Sequence, residues 1–201
     1  MPDVHLINPM RNPAGGSEHR TIGLFEILGE TNLVQVWTEE DPHPAFMGRV
    51  PMRKIGPPDR FPKGGNLVFA GTYFSIGGWI QAAKPNRIIL IQNLDQPDRL
   101  RQVVSSLSAM DLPRPEVTYA SQSIAKMTPE FPGPVHESPI DLERFSPLPK
   151  QEDRFVVGRL SRDVPDKHGL GDAVVYRRLA EAGIKVIQDR CLMVDHRRLC
   201  G

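Results

Sequence analysis

Four basic side chains crowd the stretch Phe155 to His168, FVVGRLSRDVPDKH. An apolar triplet, Phe155, Val156 and Val157, reads as a short strand. It meets Gly158 and opens into a loop carrying Arg159, Arg162, Lys167 and His168, with Asp163 and Asp166 between them. In α/β proteins ligands gather where the carboxyl end of a strand opens into a loop. Guanidinium and ammonium groups at such a mouth suit a phosphate-bearing ligand, and a glycine lets the backbone approach it closely. A basic loop of this kind also serves as plain solvated surface, so the rest of the chain has to decide between the two.

A second cluster with chemical potential lies near the start. The strand Val4 to Ile7 ends in Asn8-Pro9, and the loop that follows closes on Gly15-Gly16-Ser17-Glu18. Ser17 is placed to cap a helix, with Glu18 in its first turn complementing the dipole. Backbone N–H groups from Ser17 onward would favour an anion. A glycine pair is equally at home in a tight strand-to-helix turn. His5, Glu18 and Asp95 are the polar groups nearest strand ends, and none stands out as a general base. The six histidines do not fall at metal-ligand spacing, and Cys191, His196 and Cys200 make a weak zinc half-site, so no metal is expected.

Positioning these residues falls to an alternation of strands and helices. A helix runs from Ser17 to about Leu28, with Ile22, Phe25, Ile27 and Leu28 as its apolar positions and Gly29 at its end. Leu33 to Thr38 returns as a strand, completing a βαβ unit. Asp41 to Gly65 is Pro-rich and irregular apart from a short strand at Arg53 to Ile55, and a loop of that length is usually functional or mobile. Asn66 to Gly71 is a buried strand, and Trp79 to Ala83 a short helix. The uninterrupted run Arg87 to Gln92 suits a central parallel strand covered on both faces. Pro97 to Met110 is an amphipathic helix with Leu100, Val103, Val104 and Leu107 on one stripe. Val117 to Ser121 is a further strand, and Ser123 to Lys126 a helical turn. Asp172 to Ala182 reads as a helix ended by Gly183, and Lys185 to Ile187 as its returning strand. The pattern predicts an α/β fold, a Rossmann-like doubly wound parallel sheet over residues 1–130. A Pro-rich linker over 131–150 and the start of an incomplete second α/β domain over 151–201 follow.

Composition sets outer limits. The chain has 201 residues, 39% hydrophobic and 24% charged, with 20 Pro and 17 Gly that imply many loops. A formal net charge of +1 provides no field for nucleic acid or an anionic membrane. No apolar run reaches the length of a membrane span, so membrane association is not evident and a cytoplasmic location is expected.

Three stretches resemble the group-1 retaining glycosyltransferases of GT-B type. Gly15-Gly16-Ser17-Glu18, followed by Leu24 and Leu28, is similar to the GG-x-E loop and helix of the N-terminal domain. Ser138-Pro139-Ile140-Asp141-Leu142, with Phe145 and Pro147, is similar to the segment leading into the second domain. Val157-Gly158-Arg159-Leu160 followed by Lys167 resembles the donor-binding strand and loop. The resemblance implies two Rossmann-like domains facing across a cleft. It also implies a nucleotide-sugar donor as substrate, no separate cofactor, and a glycan, lipid or small-molecule acceptor. Arg159 and Lys167 would then stabilise the departing diphosphate as catalytic cations. Gly15, Gly16, Ser17 and Gly158 would approach the donor's phosphates or sugar. Tyr73, Phe74 and Trp79, after the NLVFAG strand, are candidates to line the acceptor pocket, with a core role the favoured reading for Trp79.

Two departures shape the remaining expectations. The spacing from Arg159 to Lys167 is longer than the family's, and the family's later Gly-rich loop and paired-glutamate motif do not occur before Gly201. The chain is therefore expected to be truncated early in its donor domain, with Gln188 to Gly201 a frame-shifted tail. Residues 155–201 should pack on the N-terminal domain or be partly disordered. A non-catalytic remnant or binding module is the alternative. A nucleotide-dependent oxidoreductase is the weaker one, because the first βα turn lacks G-x-G-x-x-G and only Glu39 and Glu40 follow the second strand.

Overall fold

The computed structural model describes residues 2–137, together with Arg177, Arg178 and residues 181–183. By its contacts the chain divides into two compact units, 1–145 and 146–201. Expectations for Arg159, Lys167, Gly158, the second-domain strands, and Cys191, His196 and Cys200 lie outside the described residues. Of the helix expected at 172–182 only Arg177, Arg178, Glu181 and Ala182 are described, the first three as helical.

The first unit is a six-stranded sheet, parallel throughout: β1 (Val4–Ile7), β2 (Val34–Thr38), β3 (Met52–Lys54), β4 (Asn66–Phe69), β5 (Arg87–Gln92) and β6 (Glu116–Tyr119). Its spatial order is β3-β2-β1-β4-β5-β6. The helices are α1 (Gly16–Gly29), α2 (Gly78–Ala83), α3 (Pro97–Ser108) and α4 (Gln122–Ala125). The expected Rossmann-like α/β sheet is what the chain forms. β1 sits between β2 and β4, with Val4 level with both Val34 and Asn66. The chain first builds outward from β1 to β2 and β3, then crosses back to add β4, β5 and β6 on the other side. The carboxyl ends of β1 and β4 therefore flank a topological switch point, where loops diverge and a crevice opens.

Alternating side chains divide the interior into two layers. Ile7, Leu67, Phe69, Ile88, Leu90 and Val117 pack with Trp79, Ile80 and Ala83 of α2 and Leu100, Val103 and Leu107 of α3. Val4, Leu6, Val36, Val68 and Ile91 pack on the other face with Ile22 of α1 and with Phe46 and Val50. The Pro-rich stretch from Asp41 is thus no free loop. A single 3-10 turn at Pro44–Phe46 drives Phe46 to full burial, worth about 1.5–3 kcal/mol for a side chain of this size.

Three local expectations need correction. The cap of α1 is Gly15, in extended backbone, and Ser17 lies inside the helix. Ile27, expected on the apolar stripe, is 53% exposed, whereas Glu18, Arg20, Thr21 and Ile22 are buried. β3 spans Met52–Lys54, and Ile55 turns inward after it. Beyond β6, residues 131–137 of the Pro-rich segment run along the sheet edge. The Tyr119 N–H donates to the Pro134 carbonyl at 3.0 Å, and the His136 N–H donates to the Tyr119 carbonyl at 2.9 Å. Gly133 has to be glycine there, because a Cβ would lie 1.8 Å from the Val117 carbonyl oxygen.

Candidate functional site

A cavity of about 220 Å³ opens at the switch point. Its walls come from the end of β1 (Ile7, Asn8, Pro9, Arg11), the first turn of α1 (Ser17, Glu18), the turn after β4 (Ala70 to Phe74) and the turn after β5 (Asn93, Leu94).

Asn8, 1% exposed, holds the floor. Its Oδ1 accepts from the Met10 N–H at 2.8 Å and its Nδ2 donates to the Ala70 carbonyl at 3.0 Å. The first bond stabilises Met10 at a φ of +51°, a left-handed conformation that costs a non-glycine residue strain. The second ties β1 to β4 just past the point where their pairing stops. Gly71 follows at a φ of +125°, which glycine alone adopts without strain, and turns the chain across the mouth.

Glu18 shapes the helix end. Its Oε1 accepts from the Asn12 N–H at 3.1 Å and its Oε2 from the Ser17 hydroxyl at 2.7 Å. The residue is only 6% exposed. This carboxylate occupies the favourable negative-charge position at the amino end of α1. A Cβ at Gly15 would come within 2.0 Å of Glu18 Oε2, so a larger residue there would have to displace the carboxylate. Around Gly16, by contrast, space is open. Only Gly15 of the pair therefore abuts the protein's own carboxylate.

Behind Glu18, on the same helix, Arg20 is 3% exposed. Its Nη1 donates to Asn93 Oδ1 at 2.9 Å and its Nη2 to the His136 carbonyl, while Nε has no partner. No carboxylate lies within ion-pair reach of it among the described residues. Burial lowers its pKa from the usual arginine value. Arginine can only donate, so Asn93 has to turn its Oδ1 to Arg20, which leaves its Nδ2 buried and unpartnered.

The turn after β4 is held from two sides. Both Glu39 oxygens accept from the Ser75 N–H, at 2.9 and 3.0 Å, and burial raises the Glu39 pKa against the opposing pull of that bond. Phe74 stacks on Phe69 with centroids 3.8 Å apart. Tyr73, 50% exposed at the rim, donates from its hydroxyl to Gln96 Oε1 at 2.6 Å, and the Arg99 guanidinium lies 5.7 Å from its ring centre.

Of the residues singled out from sequence, Ser17 and Tyr73 line the cavity, and Gly15 and Gly16 form the turn beside it. Trp79 is 8% exposed within the layer beneath α2 and does not line the cavity. Asn8, Arg20 and Asn93 were missed as site residues. The available signal was an asparagine directly after each of two apolar strands, at VHLIN and RIILIQN. Among the described residues no group of three His, Cys, Asp or Glu could hold a metal ion, and no helix is long and apolar enough to cross a membrane. Compared with known proteins, the chain matches no family model, no curated protein and no solved structure.

Proposed function

We propose that the chain is a glycosyltransferase that moves a sugar from a nucleotide-sugar to a hydroxylated acceptor with retention, and that its first unit carries the acceptor side. One observation supports this reading above the others. The Gly15–Glu18 turn, which resembles the family's GG-x-E loop, borders a switch-point cavity walled by Asn8, Ser17, Glu18, Thr72 and Asn93. Such a wall can donate to and accept from hydroxyl groups. In this reading Arg159 and Lys167 neutralise the diphosphate as it leaves, and Gly158 lets the backbone approach it. No protein nucleophile is assigned.

The same strand order also serves dinucleotide-binding folds. Two features weigh against that use. The Glu18 carboxylate fills the helix end where a pyrophosphate would sit, and Glu39, at the end of β2, is committed to the Ser75 N–H. Calorimetry of the full chain with uridine and guanosine diphosphate-sugars tests the proposal. Binding that is lost in Arg159→Ala is expected. No binding of either would favour a non-catalytic remnant, and binding of a nicotinamide dinucleotide in their place would overturn both readings.

A further inference from the structure

We propose that the switch-point cavity is a subsite for one neutral polyhydroxylated ring, a monosaccharide or cyclitol, and that Glu18 excludes its phosphorylated counterparts. The proposal deepens the glycosyltransferase reading and rests on it for the ring's part in transfer. The ring's chemistry follows from the cavity itself.

Charge decides first. The charged side chains lining the cavity are Glu18 and Arg11, and Arg11 is already paired with Glu40. The cation nearest behind Glu18, Arg20, spends its Nη groups on Asn93 and His136. A ligand in the cavity therefore meets a carboxylate that has no ion-pair partner among the described residues. In a partly desolvated pocket two like charges repel strongly, so a phosphate or carboxylate is disfavoured.

Hydrogen-bonding capacity decides next. A carboxylate offers about four lone-pair positions, and those of Glu18 not taken by Asn12 and Ser17 remain for incoming donors. The Asn93 Nδ2 is the reverse case, a buried donor lacking an acceptor. Its orientation is forced by Arg20, so it cannot flip to cure the deficit. One small ligand that both donates to Glu18 and accepts from Asn93 carries neighbouring hydroxyl groups. A hydroxyl does both jobs, whereas a phosphate dianion can only accept.

Size and shape agree. At about 220 Å³ the cavity has room for a single ring. Ile7, Ala70, Phe74 and Leu94 supply an apolar wall for ring C–H groups, with Tyr73 at the rim.

The test titrates the full chain with D-glucose, myo-inositol, glucose 6-phosphate and inositol 1-phosphate. Binding is read from the Asn93 side-chain amide and the Gly71 backbone amide in nitrogen-correlated NMR spectra. A neutral ring should shift both resonances saturably, and its phosphate should bind about tenfold more weakly or worse. Glu18→Gln should erase that discrimination. Asn93→Asp hands Arg20 a counter-ion and removes the free donor. It should preserve the fold and, read at Gly71, weaken the neutral ring about tenfold. Equal or tighter binding of the phosphorylated probes to the wild-type chain would overturn the proposal. So would the absence of a saturable shift with either neutral ring, or affinities unmoved by both substitutions. Neutral-ring binding at Asn93 in a chain that binds no nucleotide-sugar would remove the transfer reading and leave the subsite standing. Nucleotide-sugar binding without any shift at Asn93 and Gly71 would do the opposite.

Discussion

The unit β1-α1-β2 and the unit β5-α3-β6 have the same topology and opposite interiors. Both place a helix after a parallel strand and return to a neighbouring strand. In the second, α3 buries Leu100, Val103 and Leu107 in a clean stripe, and Gln92 is the one buried polar residue from Arg87 to Tyr119. In the first, His5, Asn8, Glu18, Arg20, Thr21 and Thr38 are all buried. Helix α1 puts a carboxylate and a guanidinium inward while Ile27 faces out. Buried polar groups are costly unless bonded, and α1 carries that cost beside an apolar face of Ile22, Phe25 and Leu28. The contrast sets α1, which lines the switch-point cavity as well as packing on the sheet, apart from α3, which serves the core alone.

Substitutions should separate the two roles, and the largest effect belongs to α3. Leu107→Ala removes a fully buried side chain from the layer shared with Ile88 and Leu90 and should destabilise the unit by about 2–5 kcal/mol in urea titration. Arg20→Met is equally buried, yet it should cost only about 1 kcal/mol. The Asn93 Oδ1 and the His136 carbonyl lose a donor, while the cost of burying an unpaired cation is relieved. Its signature should be local, with faster amide exchange at His136 and Tyr119. A loss as large as that of Leu107→Ala would mean that the buried polar groups of α1 stabilise the fold as much as the α3 stripe does, and the contrast would fail.

The same division explains what was readable from the residues. RIILIQ could be placed as a central strand and Leu100, Val103 and Leu107 as a stripe because hydrophobic period alone fixes such elements. In α1 period placed Ile22, Phe25 and Leu28 on the core side but not the exposure of Ile27, nor the burial of Glu18 and Arg20 with their hydrogen bonds to Asn12, Asn93 and His136. The last two partners lie 73 and 116 residues from Arg20, beyond any local pattern. Gly15 and Glu18 drew notice from sequence as parts of one motif, Gly15-Gly16-Ser17-Glu18, without the contact between them. That contact is a fact of three-dimensional packing.

Acid titration should find the first unit again. Burial holds the His5 imidazole below its ordinary value of 6.5, with the Lys63 backbone and Asp3 pulling weakly the other way. Its Nδ1 accepts from Trp37 Nε1 at 3.0 Å, a bond that requires the neutral ring. The unfolded chain therefore takes up this proton first. Stability from this residue is intact above pH 6.5 and falls as the pH drops below it. Glu39 has the opposite sign. Its pKa is raised from 4.5 by burial, so its contribution is present at low pH and is lost as the pH rises through the raised value. His5→Phe should flatten the acid loss, and Glu39→Gln should steepen it. Stability measured from pH 7 to 4.5 checks both, and parallel curves for the two variants would remove the first unit as the source.

The smallest effect tests the outward side of α1. Ile27 lies on a helix whose buried residues are concentrated toward its first two turns, and at 53% exposure it has little apolar contact to lose. Ile27→Lys should change stability by no more than about 0.5 kcal/mol, as surface substitutions usually do. Lysine also suits this position near the carboxyl end of α1, where no basic residue stands in the last turn and the dipole favours a cation. The sign of the small change is therefore expected to be stabilising. A loss of about 2 kcal/mol or more would be the cost of removing a core side chain and would extend the apolar face of α1 to Ile27. The distinction between a helix that holds a site and one that holds the core would then rest on Glu18 and Arg20 alone.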